Sequence, residues 1–309
     1  MQIPLIALSS HSDRNSAPLV IVGSTGLLGQ ALRSEACKRG YQVYGLARSG
    51  ADVNLDIQDT QKLLEALGHV RPKYIINAAA LINLDECERN PAHAHEINAL
   101  AVKNIANYCQ KHDVKLVQIS TDHYFSGDGE VLHDEQAEVQ LLNTYAKSKY
   151  EGELFAQSAP NSLILRTNIV GFRGWIGRPT FVEWAIAALS EGSPVTLFDD
   201  FFTSSIHVKA FAGSLFDLID KNASGIFNLA AREVVSKADF LLKLAHQLEL
   251  PVAGCTFGSV HSVGGVLRAD SLGLDVLKAE TILGYPLPKM DEVIAELARE
   301  YRERLNAIR

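Results

Sequence analysis

Tyr145 and Lys149 stand four residues apart in Tyr145-Ala146-Lys147-Ser148-Lys149, at the start of a stretch with helical patterning. On a helix that spacing puts both side chains on one face. A phenol is a weak acid with a reference pKa of about 10, and an ammonium beside it stabilises phenolate, bringing proton exchange with a carbonyl oxygen into a useful range. Tyr-x-x-x-Lys arises often by chance on helices, and what gives this pair weight is Ser120-Thr121-Asp122, which closes an apolar run ahead of it. A second group lies near the start, where Gly23-Ser24-Thr25-Gly26-Leu27-Leu28-Gly29 directly follows Leu19-Val20-Ile21-Val22. Glycines there permit a tight turn and let a pyrophosphate approach a helix N-terminus, so Gly23, Thr25, Gly26, Leu27, Leu28 and Gly29 are candidate dinucleotide-binding residues. An acidic residue for the ribose hydroxyls belongs about twenty residues further on. Ala47-Arg48-Ser49 stands there instead, and a guanidinium at Arg48 favours the 2′-phosphate of NADP(H) over NAD(H). Asp56 and Ile57 then fall where they would flank the adenine.

Those groups need a rigid frame. From Leu19 short apolar runs alternate with helical stretches: Leu19 to Val22, Leu27 to Arg39, Val43 to Leu46, Gln58 to Leu67, Tyr74 to Asn77, Ala92 to Lys111, Lys115 to Ser120, Asn143 to Gln157 and Ser162 to Arg166. This alternation predicts an α/β fold with a Rossmann-type, doubly wound parallel sheet covered on both faces. After Gly171 the pattern loosens into a loop rich in Gly and Arg, a helix over Phe181 to Ser190, an apolar strand at Gly225 to Leu229, and helices over Lys237 to Leu250 and Asp291 to Leu305. The expected organisation is a flexible extension over residues 1–17 and a nucleotide-binding domain over 18–170, to which the strand at 225–229 returns. A smaller C-terminal substrate-binding lobe then takes 171–224 and 230–309.

The chain has 309 residues, 47% hydrophobic and 21% charged, with a formal net charge of −7, which is ordinary for a soluble enzyme. Its Lys and Arg are scattered, so the basic stripe of a nucleic-acid binder is missing. Cys37, Cys87, Cys109 and Cys255 show no CxxC spacing, which points to reduced thiols in a cytoplasmic protein and to neither a metal site nor a disulfide framework. Met1 to Leu8 is apolar but has no basic leader, and no run of eighteen apolar residues occurs, so neither a signal peptide nor a membrane span is expected.

With these residues in place the chain resembles the extended short-chain dehydrogenase/reductases, and within them the dTDP-4-dehydrorhamnose reductase family, over nearly its whole length from Leu19. Gly23, Gly26 and Gly29 match the family's cofactor loop, and Asn77-Ala78-Ala79-Ala80 resembles the segment passing under the cofactor. Glu96-Ile97-Asn98 matches a helical Asn that supports the active site, and Ile119 to Gly127 resembles the signature carrying the catalytic hydroxyl. Arg268-Ala269-Asp270-Ser271-Leu272-Gly273-Leu274-Asp275, with Leu283-Gly284-Tyr285 and Pro288 beyond, parallels the family's closing substrate motif. The resemblance implies that Thr121 hydrogen-bonds the substrate carbonyl, Tyr145 donates the proton, Lys149 partners Tyr145 and the nicotinamide ribose, and Asn98 supports them. It also implies that Ala78, Ala79 and Ala80 line the cofactor.

Three departures fall where substrate is read: His123 replaces the usual Tyr, Ala269 the usual Pro, and Asp200 to Ser205 lacks the usual Gly and Pro. The implied function is NADPH-dependent reduction of a keto group on a nucleotide-linked sugar. Arg173, Arg178 and Arg268 are candidates to clamp its diphosphate, Trp175, Phe181 and Trp184 to stack on sugar or base, and His123 to meet sugar hydroxyls. His207 reads as structural or surface. Two rival functions use the same residues: a sugar-nucleotide epimerase that recycles its cofactor, and a non-catalytic NADP-binding subunit, since the β subunit of methionine adenosyltransferase resembles the same reductases. Against a dehydratase, Asp122-His123 is not the acidic pair expected beside the catalytic Thr. A homodimer is compatible with such folds, whose exposed helices often pair.

Overall fold

The computed structural model describes residues 17–175 and 177–308, so the extension expected over 1–17 lies, apart from Ala17, outside the described residues. The first half runs β1 (Pro18–Val22), α1 (Leu27–Lys38), β2 (Gln42–Ala47), β3 (Val53–Asn54), α2 (Thr60–Val70), β4 (Tyr74–Asn77), α3 (Leu84–Arg89), α4 (Pro91–His95), a π-helical turn (Glu96–Leu100), α5 (Ala101–His112), β5 (Lys115–Ile119), α6 (Thr144–Gln157) and β6 (Leu163–Arg166). There follow β7 (Ile169–Val170), α7 (Phe181–Ser190), β8 (Val195–Phe198), β9 (Phe202–Thr203), β10 (Ile206–His207), α8 (Val208–Asp220) and β11 (Gly225–Asn228). The chain closes with β12 (Val235–Ser236), α9 (Lys237–Leu248), β13 (Cys255–Gly258), β14 (Ser271–Leu272), α10 (Leu277–Leu283) and α11 (Met290–Ile308).

Seven strands form one parallel sheet in the order β3-β2-β1-β4-β5-β6-β11. Strand side chains alternate between faces, and β1 shows the consequence. Leu19 and Ile21 enter one core with α1 and α8, while Val20 and Val22 enter another with α2 and α5. A third core gathers α7, α9 and α11 around Val182, Phe240, Leu244 and Leu297, all from elements that follow β6. The fold class is the one expected. The short strands β7 to β10 and β12 to β14 were not foreseen; strands of two to four residues carry too little periodicity to be seen in a sequence. The expected helix from Ala92 to Lys111 is a continuous helical run interrupted by the π turn, and that turn carries Asn98.

Candidate active site

The cofactor end is shaped by backbone. Gly23 has φ +82°, a conformation L residues rarely adopt, and donates its N–H to Leu46 O at 2.8 Å. A Cβ at Gly23 would lie 2.8 Å from Ala79 N, and one at Gly29 would lie 2.1 Å from Gly23 O. The loop between β1 and α1 therefore packs against β2 on one side and the Ala78-Ala79 backbone on the other, leaving the helix start open to a ligand. Beside it is a cavity of about 850 Å³ lined by Ser24, Thr25, Arg33, Ser49, Asp52 and Trp175, among others. These residues fit a dinucleotide: a cradle that a side chain would fill, at a helix N-terminus, opening into a pocket of ligand size.

Arg48 is exposed and does not line that cavity. The guanidinium that does belongs to Arg33, which pairs in two contacts with Asp52 at 2.5 and 2.9 Å, while Asp52 also accepts the Gly45 N–H. Arg33 lies inside α1, too close to the glycine loop to attract notice as a phosphate ligand. Asp56 accepts from the Gln58 backbone at 3.0 Å, and Ile57 is buried in the core that holds Val20 and Val22. Leu28 is buried, Leu27 packs partly exposed against the same core, and Ala80 is half-buried at the end of the strand-four segment.

The chemistry lies at the far end of β5. Tyr145 begins α6, whose N-cap Asn143 accepts from Ala146 N at 2.8 Å and donates to Leu267 O at 2.9 Å, tying the catalytic helix to the lobe. The Tyr145 ring is buried, meets His123 edge-to-face at 5.5 Å, and faces the Thr121 side chain. Burial raises its phenol well above the ordinary value, with the Thr121 hydroxyl pulling the other way. A phenol so raised carries its proton at neutral pH, the state from which a proton donor starts. Lys149 is buried beneath it, donates to Ile119 O at 2.7 Å, and is lowered to about 8 by burial, with Glu153 opposing.

Asn98 brings the sheet side and the helix side together. Its amide accepts from Leu81 N at 2.8 Å and donates to Leu81 O and to Ser148 Oγ, both at 3.0 Å. Its carbonyl oxygen would lie 2.2 Å from a Cβ on Gly152, so α6 and the π turn touch through backbone. π turns inside α-helices are often found at functional sites.

Beneath Thr121 is a charge network that sequence reasoning missed. Glu153 and Arg166, both fully buried, bond through Arg166 Nη2 at 2.9 Å, Ser120 Oγ donates to Glu153, and Arg166 lies over the Tyr124 ring at 5.2 Å. Glu153 is four residues past Lys149, as Lys149 is past Tyr145, so a polar line at i, i+4 and i+8 was the available signal.

At the substrate side Asp122 is buried and raised by that burial. It accepts from Asn168 at 2.8 Å; Asn168 accepts from Ser205, and Ser205 is 2.9 Å from Thr203. The atypical 200–205 segment thus reaches the catalytic turn through a chain of hydroxyl and amide groups. Burial lowers His123, with Asp122 opposing and Lys237 and Arg268 reinforcing, and its buried Nδ1 has no hydrogen-bond partner among the described residues. Asp270 and Ser271, from the closing motif, accept backbone N–H groups of Gly127 and of Asp128 and Gly129, holding the loop after the catalytic turn.

Of the three arginines proposed for a diphosphate, only Arg268 faces this turn. Arg173 donates to Arg178 O and stacks 4.5 Å over Trp175, Arg178 is exposed, and Trp175 borders the cofactor-side cavity. They close a loop on itself and on the nucleotide end, because Gly174 and Gly177 turn the chain back within a few residues. Phe181 packs into the lobe core and Trp184 lies largely exposed beside it. His207 is buried, caps α8 through Nδ1 and lies 3.3 Å from Glu300 through Nε2.

A family model described as the RmlD substrate binding domain matches residues 17–302. A protein of Haloferax volcanii named "Probable low-salt glycan biosynthesis reductase Agl14" is 30% identical over 304 residues, covering 92% of this chain and 98% of that one. A dTDP-4-dehydrorhamnose reductase of Mycolicibacterium smegmatis is 29% identical over 224 residues, 72% of this chain and 66% of its own. Among solved structures, a dTDP-4-dehydrorhamnose reductase of Bacillus anthracis in complex with NADP superposes with a TM-score of 0.83 at 25% identity, covering 92% of this chain and 99% of that one.

Proposed function

The chain belongs to the RmlD substrate binding domain family, and from that premise we propose that it is an NADPH-dependent reductase of a keto group on a nucleotide-linked sugar. The observation that carries this reading is the buried Tyr145 facing Thr121, one turn of α6 before the buried Lys149, at the end of the sheet where a dinucleotide cradle opens. The named relatives support it: they are reductases, and one of the solved structures holds NADP. NADP(H) is the favoured nucleotide, and NAD(H) is the alternative.

The cradle residues Gly23, Thr25, Gly26 and Gly29 with the Ala78-Ala79 backbone would hold the pyrophosphate and the segment below it. A reduced nicotinamide bound there supplies hydride. The protein's own work is done on the carbonyl oxygen. Thr121 Oγ and the Tyr145 hydroxyl converge on one position and stabilise negative charge developing there, and Tyr145 gives up its proton to that oxygen. Lys149, cationic at neutral pH, stabilises the phenolate left behind, and Ile119 O holds its ammonium in place. Burial of Thr121, Asp122 and Tyr145 excludes water from the turn.

Tyr145→Phe removes the proton and one of the two oxygen ligands while keeping the ring. Turnover on a panel of nucleotide-linked 4-keto sugars, followed as loss of NADPH absorbance, is expected to fall by at least about a thousandfold with NADPH affinity unchanged. Undiminished turnover in that variant refutes the assignment. In the wild type, cofactor binding without net NADPH loss on any keto sugar favours the epimerase or regulatory reading.

A further inference from the structure

Resting on that reading, we propose that Lys237, the first residue of α9, takes the diphosphate of the nucleotide-linked substrate together with Arg268, across His123 from the catalytic hydroxyls. The Lys237 ammonium lies 4.4 Å from the ring centre of Phe181, 5.7 Å from that of Phe201 and 5.8 Å from that of Phe240. These rings come from α7, from the turn before β9 and from α9 itself, so an aromatic cage built by three parts of the lobe fixes the position of one cation. Aromatic faces attract a cation but do not neutralise it. Among the described residues Lys237 forms no ion pair, and Asp122 is the carboxylate whose charge opposes the effect of its burial.

The charge balance identifies the ligand. Burial lowers Lys237 to about 8, which leaves it mostly cationic at neutral pH. Ser236 and Ser271 both pair with Phe202 and the Lys237 N–H donates to Phe201 O, so Lys237 and the Arg268 segment lie at the same end of the β12-β9-β14 sheet, and both cations act against protonation of His123. Asp122 is also committed to Asn168. A partly desolvated cation without a partner is unfavourable, and a dianionic ligand relieves it. Sugar hydroxyls do not. Arg173 is held in its own loop against Arg178 O and the Trp175 ring. The orphaned His123 Nδ1 supplies a further hydrogen-bonding atom in the same cleft.

Calorimetric titration of the full chain, saturated with NADP, with dTDP and with thymidine separates the charge contribution from that of the base. The wild type is expected to bind dTDP far more tightly than thymidine. Lys237→Gln is expected to weaken dTDP by about tenfold to a hundredfold, with thymidine and NADP binding unchanged, and Lys237→Arg to recover part of the loss. Retained NADP binding shows that the variants fold. Unchanged dTDP affinity in Lys237→Gln overturns the proposal, and so does an equal loss for dTDP and thymidine, which marks a packing residue. A wild type that binds NADP but neither dTDP, UDP nor any sugar nucleotide overturns the nucleotide-sugar reading itself, and this inference with it.

Discussion

At Gly23 and Gly29 the atoms that an added side chain would strike are backbone atoms of Ala79, Gly23 and Ser24; at Lys237 the neighbours are three aromatic rings and a carboxylate across a cleft. The two ends of one site are thus specified differently. The cofactor end is a shape made by main chain, fixed by local turns and tolerant of nothing larger than hydrogen. The substrate end is a distribution of charge made by side chains from the turn at 121–123, from Asn168, from α9 and from Arg268, which meet only in the folded chain. A shape that excludes a methyl group can keep one ligand class through changes elsewhere in the chain, whereas a charge distribution can be rewritten one residue at a time.

Gly29→Ala breaks the comparison most severely. Its Cβ would lie 2.1 Å from Gly23 O and 2.6 Å from Ser24 Cα, so the loop must move. NADPH affinity measured by fluorescence titration is expected to fall by about a hundredfold or more, with a lower melting temperature. Wild-type affinity in that variant removes the claim that backbone shape sets this end.

Glu153→Ala tests whether side-chain charge beneath the catalytic turn is as indispensable as the glycine cradle above it. Loss of the carboxylate leaves Arg166, which is 3% exposed, without its partner. Urea unfolding is expected to show a loss of about 3–5 kcal/mol. A double variant that also replaces Arg166 with Met should recover much of it, since the desolvated charge goes too. A single variant within about 0.5 kcal/mol of wild type contradicts the burial argument.

A smaller effect sharpens the contrast through pH. Lys149 and Lys237 are each lowered by burial from 10.5 to about 8 in the folded protein. Between those values the unfolded chain binds more protons than the folded one, so each lysine makes stability rise as pH rises through that window. Melting temperatures in matched buffers from pH 8 to 10 are expected to fall less in the wild type than in Lys237→Gln. Parallel curves would mean that Lys237 is solvated in the folded state.

Legibility follows the same division. The alternating strands and helices, the glycine loop, Tyr145 with Lys149, and the Thr121 turn could all be located in the sequence because each is a local pattern with a fixed period or spacing. Lys237 could not. It stands in an unremarkable Ser236-Lys237-Ala238, and only the packing of α7 and α9 shows that it faces inward. Arg33 escaped for a related reason, since Arg48 sat at the position a spacing rule names while the guanidinium lining the cavity came from one helix turn away. Arg173 and Arg178 show what spacing alone does not reveal: a loop turned by two glycines brings the Arg173 guanidinium onto the Arg178 carbonyl.

The π turn at Glu96–Leu100 has a consequence for how this chain tolerates changes in length. It accommodates one residue more than a regular α-helix needs, and each residue of an α-helix advances the face by about 100°. Deleting one residue from this run would let the helix become regular, yet it would turn Asn98 away from Leu81 and Ser148, or turn α3 away from Thr144, whose backbone N–H and hydroxyl Glu88 holds at 2.6 and 2.9 Å. The helical run from Pro91 to His112 is therefore a segment in which the number of residues is constrained more tightly than the identity of most of them.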